Sequence, residues 1–284
     1  MMTRRNFLKS SAAALPVLAF HDTNLWAVAH IPLGVQLYTV REMAEKDLPG
    51  TLAKIRKVGY EEIEAFSIVY TYPANQLRQI VHDAGLRMPS GHFSYADLPG
   101  KLDYAQEMGV QWAVCTMIPH AMWTMEGFYA AAKQFNLIGK RAQELGMRFA
   151  FHNHDYEFAD YGNGKTGYEV LVAETDPELV FFELDCYWAA QAGQNPLQML
   201  RAMGKRIRML HLKGRKAGFP TSFDMGPSSA HFVPVGSGGI DWKPIIHEAE
   251  RLDMAHYFVE QDVTYGHPIE SIRASYRYLR MFMP

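Results

Sequence analysis

Four short apolar segments in the second half of the chain each end on side chains that can bind a metal ion or carry a proton. Residues 148–151 lead into His152-Asn153-His154, residues 180–184 into Asp185, residues 207–210 into His211, and residues 257–259 into Glu260. In a parallel β/α barrel the carboxyl ends of all strands lie on one rim, where active sites of that fold are found. The sequence therefore predicts one polar site built from strand ends that are far apart along the chain.

Amphipathic helical patterns alternate with short apolar strands along the chain, which is typical of parallel βα units. Glycines at 59, 85, 109 and 146 follow four of the helical patterns, as glycine often does at a helix end. We count eight strands, at 34–38, 61–64, 88–93, 111–116, 148–152, 180–185, 207–211 and 257–260. The pattern predicts a single (β/α)8 TIM barrel over residues 30–284, a length close to the ~250 residues typical of that fold.

Residues 1–29 are expected to form a twin-arginine signal peptide rather than part of the fold. Arg4 and Arg5 precede a mildly apolar stretch at 10–20, and residues 27–29 have the small-x-small form of a cleavage site. The apolar stretch is well short of the ~20 residues that a transmembrane helix needs, so no stable membrane anchor is expected. We expect the twin-arginine export machinery as a partner and the periplasm as the location.

Charge and cysteine content narrow the possible functions. Without residues 1–29 the chain carries 25 basic and 29 acidic side chains, and no basic stripe that would indicate nucleic acid binding. Cys115 and Cys186 follow the fourth and sixth strands, which are not neighbours in a barrel. Two buried thiols are therefore expected instead of a disulfide. The connection at 214–239 is rich in Gly, Pro and Ser, and loops of this length are usually lids or binding loops.

The chain resembles the sugar phosphate isomerase/epimerase proteins, which are xylose-isomerase-like barrels grouped with apurinic-endonuclease family 2. The resemblance covers the whole chain after residue 29, in the family's order. Its motifs are GVQLYTVR at 34–41, HNH at 152–154, ELD at 183–185, HLK at 211–213, GSGGIDW at 236–242 and FVE at 258–260.

The resemblance implies a divalent cation held by the ends of strands five to eight, usually by Glu, Asp, His and Glu. Asp185, His211 and Glu260 match the last three positions, and His152 stands where many relatives have glutamate. We predict the ligand set His152, Asp185, His211 and Glu260, with Mn²⁺, Zn²⁺ or Mg²⁺ as the ion. Glu157 is an alternative to His152 as the strand-five ligand. The family's two-glutamate epimerase mechanism does not carry over directly, because one of its glutamates is replaced.

Such an ion acts as a Lewis acid and stabilises the enediolate that forms when a proton leaves the carbon next to a sugar carbonyl. The candidate general bases are Glu260, His154 and Glu157, in falling order. Lys213 is predicted to neutralise a developing oxyanion, with a rim salt bridge as an equal alternative.

Further side chains are predicted around the substrate. His92 and Glu64 are expected to line the pocket, with core or supporting roles as alternatives. Tyr38 and Trp188 are candidates to stack on a sugar ring, although aromatic residues near a rim are often only packing. Glu183 is expected one layer deeper than Asp185, where its hydrogen bond would orient a metal ligand.

The reaction is expected to be epimerisation or isomerisation of a keto- or hydroxy-sugar. β-Elimination from a 3-keto-glycoside shares the same first step and is the alternative. A catalytically inactive carbohydrate-binding barrel and a metal-dependent endonuclease are the competing classes, and the acidic charge balance disfavours the endonuclease. The substrate, the metal and the oligomeric state stay open.

Overall fold

A computed structural model describes residues 30–162, 164–226 and 229–283 of the protein. Eight parallel strands form a closed barrel in which each strand pairs with the next along the chain and the last pairs with the first. The strands are β1 (Gly34–Gln36), β2 (Glu62–Ala65), β3 (Arg87–Phe93), β4 (Trp112–Cys115), β5 (Arg148–His152), β6 (Val180–Asp185), β7 (Ile207–Leu212) and β8 (His256–Val259). The predicted (β/α)8 barrel is confirmed.

Helices connect these strands and surround the barrel. They are α1 (Arg41–Lys46), α2 (Leu48–Val58), α3 (Ala74–Asp83), α4 (Leu98–Met108), α5 (Met125–Glu144), α6 (Gly167–Glu174), α7 (Cys186–Gln191), α8 (Pro196–Met203), α9 (Trp242–Arg251) and α10 (Pro268–Leu279). Short 3-10 helices lie at Leu37–Val40, Ser67–Val69, His120–Met122, Tyr156–Phe158, Gly204–Arg206 and Ser229–His231. No helix of these described residues is long and apolar enough to cross a membrane.

Apolar clusters on both faces of the strands stabilise the barrel. The larger one fills the space between strands and helices, and a smaller cluster of Trp112, Val114, Ala150, Met209 and Phe258 comes from alternate residues of four strands. A strand directs alternate side chains to opposite faces, so this cluster shares the inward face with the polar strand ends. Gly34 permits this packing, since a Cβ there would lie 2.4 Å from the Phe258 ring.

Several boundaries differ from the sequence-based ones. β1 ends at Gln36 because the Gln36 side chain accepts a hydrogen bond from Tyr38 N at 3.2 Å and starts a 3-10 helix. α2 starts at Leu48 because Asp47 accepts a hydrogen bond from Gly50 N. The connection at 214–239 contains a two-stranded antiparallel ribbon, Gly214–Arg215 with Phe232–Val233.

The two cysteines are free and buried, as expected. The predicted signal peptide at 1–29 lies outside the described residues, so it stays a prediction from the sequence. Asp241 occupies the N-cap position of α9, but its side chain makes no capping hydrogen bond.

Candidate metal centre and active site

A cavity of about 290 Å³ opens at the carboxyl ends of the barrel strands. Its lining residues are Tyr38, Phe66, His92, Ser94, Thr116, Met117, His152, His154, Lys213, Met225, Glu260 and Asp262. Side chains from seven of the eight barrel strands, or from the segments that follow them, therefore meet at this mouth. This is the rim at which the sequence placed the site.

The ammonium group of Lys213 lies at the centre of an acidic cluster at the cavity floor. Its Nζ is 2.8 Å from Glu260 Oε2, 3.1 Å from Asp185 Oδ2 and 2.7 Å from Asp262 Oδ1. Burial opposes the charged form of Lys213, but the three carboxylates outweigh it and raise its pKa well above the ordinary value. Lys213 is therefore a buried, permanently charged cation.

The imidazoles of His152 and His211 each present one nitrogen to this cluster and the other to a deeper layer. His211 Nδ1 is 2.9 Å from Glu260 Oε2 and 3.9 Å from Asp185 Oδ2, and His152 Nε2 is 3.8 Å from Asp185 Oδ2. On the deeper side, His211 Nε2 is 2.7 Å from Glu64 Oε2, and His152 Nδ1 is 3.0 Å from Glu183 Oε2. The two rings thus join an upper and a lower layer of carboxylates.

The lower layer consists of Glu64 and Glu183, both fully buried, with His92 between them. His92 Nε2 is 2.7 Å from Glu183 Oε2 and 3.0 Å from Glu64 Oε2. Glu64 also accepts hydrogen bonds from Gln36 Nε2 and the Ser90 hydroxyl. This layer fixes the orientation of both imidazoles above it, which is what carboxylates behind metal-binding histidines do.

Opposite charges set the protonation of the lower layer. Burial opposes protonation of His92, but Glu64 and Glu183 outweigh it and raise the pKa of His92 to about 9. Burial and the neighbouring Glu64 oppose ionisation of Glu183, yet His211 and His92 lower its pKa to about 2. Burial and then the charge of His211 hold the pKa of His152 well below its ordinary value, so its imidazole is neutral.

The donor set fits a divalent cation. Ligand atoms of Asp185, His211 and Glu260 lie within 4.8 Å of one another, and so do those of His92, His152, Glu183 and His211. Asp185 Oδ2 is buried, forms an ion pair with Lys213 and has no hydrogen-bond partner in the part of the chain that the structure describes. Oxygen and imidazole ligands suit Mn²⁺, Zn²⁺ or Mg²⁺. The four predicted ligands are thus divided between two overlapping clusters that share His211.

His154 lines the cavity and is one of the predicted general bases. Burial, and then the charge of Lys213, lower the pKa of His154 to about 3, so its imidazole is neutral near pH 7. Its Nδ1 is buried without a hydrogen-bond partner among the described residues. Glu157 lies behind it, is not part of the cavity lining, and accepts a hydrogen bond from the backbone N–H of His154 at 2.9 Å. Burial raises the pKa of Glu157 to about 8.

The structure separates the predicted substrate contacts into two groups. Tyr38 and His92 line the cavity, whereas Glu64 lies in the layer beneath and Trp188 stands behind the wall. Trp188 donates its backbone N–H to Asp185 Oδ1 at 2.8 Å. This hydrogen bond caps the first turn of α7, and the Trp188 side chain does not line the cavity. Its ring remains 5.5 Å from Lys213 Nζ.

Six lining residues were not predicted from the sequence: Phe66, Ser94, Thr116, Met117, Met225 and Asp262. Asp262 could have been predicted from the two-residue period of an extended segment, because it follows Glu260 by two residues and shares its face. Phe66 likewise continues the inward face of Glu64. Met225 lies far along the connection after β7, and nothing in the sequence around it indicates the cavity.

Asp155 holds part of that connection over the cavity. Its Oδ2 accepts a hydrogen bond from the Ser222 hydroxyl at 2.9 Å, and its Oδ1 accepts one from Met225 N at 3.0 Å. Gln191 Nε2 donates to the Ser222 hydroxyl and to Pro220 O. The residue that follows the His-Asn-His run thus anchors the loop that carries Met225.

Comparison with known proteins agrees with this geometry. A family model described as a xylose isomerase-like TIM barrel matches residues 52–281. An inosose dehydratase of Clostridium beijerinckii is 25% identical over 63% of this chain and 67% of its own length. An inosose dehydratase of Geobacillus thermodenitrificans is 29% identical over 51% of each chain, so the matches span about half to two thirds of these relatives.

Solved structures show the same fold at lower identity. A sugar phosphate isomerase/epimerase from Parabacteroides distasonis has a TM-score of 0.75 and 24% identity over 91% of this chain and 97% of its own. A protein named IOLI, solved with a bound zinc atom, has a TM-score of 0.69 and 15% identity over 89% of this chain and 98% of its own. At these identities the likeness concerns the barrel itself.

Proposed function

Because the chain belongs to the xylose isomerase-like TIM barrel family, we propose that it is a divalent-metal-dependent enzyme that removes a proton next to the carbonyl of a polyhydroxylated ketone. The observation that carries this proposal is the convergence of Asp185, His211 and Glu260 beside the Lys213 ammonium at the floor of one cavity. A divalent ion held by these ligands and His152 would supply Lewis-acid activation of the carbonyl.

The chain's own side chains provide the rest of the chemistry. The Lys213 ammonium is placed to stabilise negative charge on the carbonyl oxygen of the substrate. His154, which lines the cavity with a neutral imidazole, is the candidate to accept the proton from the neighbouring carbon. The Glu260 carboxylate is the second candidate base, since Lys213 and His211 outweigh burial and hold its pKa well below the ordinary value.

β-Elimination is the outcome that we place first. The proton moves from carbon to His154, the C–O bond at the next carbon breaks, and protonated His154 returns the proton to the departing oxygen. Water or an alcohol is released, the ketone becomes unsaturated, and the enzyme ends as it started. Two observations favour this outcome: the curated relatives are inosose dehydratases, and strand five brings imidazoles where a two-base epimerase would need a second carboxylate.

Epimerisation or isomerisation of a keto- or hydroxy-sugar is the second candidate. It shares the first proton transfer, and the solved relative from Parabacteroides distasonis carries that description. The two outcomes differ in whether the departing oxygen leaves before the proton returns to carbon.

The test is incubation of the metal-loaded protein with inosose and with a 3-keto-glucoside in D₂O. Elimination gives an unsaturated ketone with new ultraviolet absorption. Recovery of epimerised or deuterated substrate without elimination would support the second candidate. A protein that binds these compounds without deuterium uptake would be a binding module, and one that holds no stoichiometric metal would contradict the proposal.

His154→Asn is expected to lower kcat by roughly 10²–10⁴-fold, the usual contribution of general base catalysis. His247→Asn, on the exposed face of α9, is the matched control. If both variants retain full activity, Glu260 becomes the base.

We also propose that the protein acts in the periplasm after twin-arginine export. This rests on Arg4, Arg5 and the cleavage pattern at 27–29 in the sequence. Replacing both arginines by lysine should leave the precursor in the cytoplasm, as measured by fractionation. Periplasmic delivery of the double variant would contradict this proposal.

A further inference from the structure

The cavity has two chemically different walls. The charged wall comes from β5, β7, β8 and the residues that follow them, and consists of His152, His154, Lys213, Glu260 and Asp262. The uncharged wall comes from the loops after β1 to β4 and the connection after β7, and consists of Tyr38, Phe66, Ser94, Thr116, Met117 and Met225. His92 lies between the two walls. The reaction proposed above uses groups of the charged wall only.

Two hydroxyl groups of the uncharged wall are already committed within the protein. The Ser94 hydroxyl donates to Asp97 Oδ2 at 2.7 Å, and the Thr116 hydroxyl donates to Phe93 O at 2.7 Å. Each can still accept a hydrogen bond but has no proton left to donate. Of the three hydroxyls on this wall, that of Tyr38 still has a proton to donate, which is fewer donors than a hydroxylated sugar ring needs around it.

The remaining side chains of the uncharged wall suit an aromatic group. Tyr38 and Phe66 stand edge to face with ring centroids 5.0 Å apart, and Met117 is 38% exposed although it is large and apolar. Met225 lines the same cavity, is positioned by the hydrogen bond from its N–H to Asp155, and packs against the cluster of Tyr187, Trp188 and Phe232. Aromatic rings and thioethers both make favourable contacts with a further aromatic ring.

We infer that the uncharged wall binds an apolar aryl group that the substrate carries through a glycosidic oxygen. The inference rests on the proposed function for the reacting end of the substrate and assigns the class of its other end. The substrate is then an aryl glycoside bearing a ketone, and elimination releases the aryl alcohol: the C–O bond to the aryl oxygen breaks, and the proton taken from carbon goes to that oxygen. No oxidant or reductant is needed.

The test measures binding separately from turnover. Methyl β-glucoside and phenyl β-glucoside are locked as acetals, have no free carbonyl and do not undergo the proposed elimination, so their dissociation constants can be measured calorimetrically on the metal-loaded protein. We expect phenyl β-glucoside to bind at least tenfold more tightly than methyl β-glucoside. The double variant Met117→Ser, Met225→Ser should reduce this ratio to about two, whereas Met281→Ser, on the exposed surface after α10, should leave it unchanged.

Equal affinity for the two glucosides, tighter binding of methyl β-glucoside, or no binding at millimolar concentration would overturn the inference. A preserved phenyl preference in the double variant would also overturn it, because the wall would then not be the cause. These results are independent of the proposed function: turnover of inosose without a phenyl preference removes only this inference. A phenyl preference without any proton exchange removes only the proposed reaction.

Discussion

Nζ of Lys213 lies 2.8 Å from Oε2 of Glu260, and both residues are almost completely excluded from solvent. The ammonium group therefore contacts two carboxylates that are also predicted ligands of a divalent ion, those of Glu260 and Asp185. A metal ion would share these oxygens with a fixed positive charge. This arrangement links the stability of the metal-free protein to its affinity for metal.

Lys213→Met is expected to lower the free energy of unfolding of the metal-free protein by about 3–5 kcal/mol, because buried carboxylates lose their counter-charge. A divalent ion should then raise the melting temperature of the variant more than that of the unaltered protein, since binding to the folded state stabilises it. Thermal unfolding with and without Mn²⁺ or Zn²⁺ measures both effects. Lys140→Met, on the exposed face of α5, is the control. A variant as stable as the control would show that Lys213 does not balance these charges.

Glu183→Gln should weaken metal binding by about 10–100-fold, the usual effect of losing a carboxylate behind a metal-binding histidine. The reason is that Glu183 Oε2 contacts His152 Nδ1 at 3.0 Å and orients that ring. Competition with a chelator gives the dissociation constant. Glu178→Gln, an exposed glutamate before β6, is the matched control. Unchanged affinity in Glu183→Gln would place His152 outside the ligand set.

The metal-free protein should lose stability as pH rises from about 6.5 to about 9. The folded-state pKa of His92 is raised from 6.5 to about 9, so the folded protein binds more protons than the unfolded chain over this interval. The free energy of unfolding then falls with rising pH, by roughly 3 kcal/mol for this group alone. Denaturant unfolding in a chelator at pH 6, 7.5 and 9 measures the slope. A slope of opposite sign, or an identical slope in His92→Asn, would refute this origin.

Asp155→Ala should loosen the loop that carries Met225 without unfolding the barrel. Two hydrogen bonds are lost, each contributing about 1 kcal/mol, so hydrogen exchange at the Met225 amide should accelerate by roughly tenfold or more. Exchange measured by mass spectrometry reports on this segment. Asp224→Ala removes an exposed carboxylate of the same loop, which among the described residues accepts a hydrogen bond from the nearby Gly226 N, and should have little effect at Met225. Equal exchange in both variants would mean that Asp155 is not the anchor.

Much of the barrel was predictable because alternation and helix-end glycines are local signals. The inward direction of His152, Asp185, His211 and Glu260 also follows from the strand period of two. The strand period does not predict how deep in the barrel each of these side chains lies. Glu64 and His92 share a face with the cavity, but the register between β2 and β3 shifts between Glu62 and Glu64, and this decides how deep each side chain lies. Sequence alone gives no such register.

The contacts of single side chains were equally beyond the sequence. The sequence makes Trp188 a candidate to stack on a sugar ring. Asp185, however, caps the first turn of α7, and the indole lies outside the cavity lining. The position of Met225 depends on a hydrogen bond to Asp155, seventy residues earlier. Such long-range contacts are determined by side-chain packing and by the hydrogen bonding of buried polar groups. Local sequence patterns do not show either.

Asn153, between the two histidines, joins its strand to the next. Its side-chain oxygen accepts from Asp185 N at 3.0 Å, and its amide nitrogen donates to Asp185 O at 3.4 Å. These two hydrogen bonds therefore fix the backbone that carries His152 relative to the backbone that carries Asp185, on the side away from the ligand. Because this link does not involve the loops around the mouth, changes in those loops should leave the spacing between His152 and Asp185 unaltered.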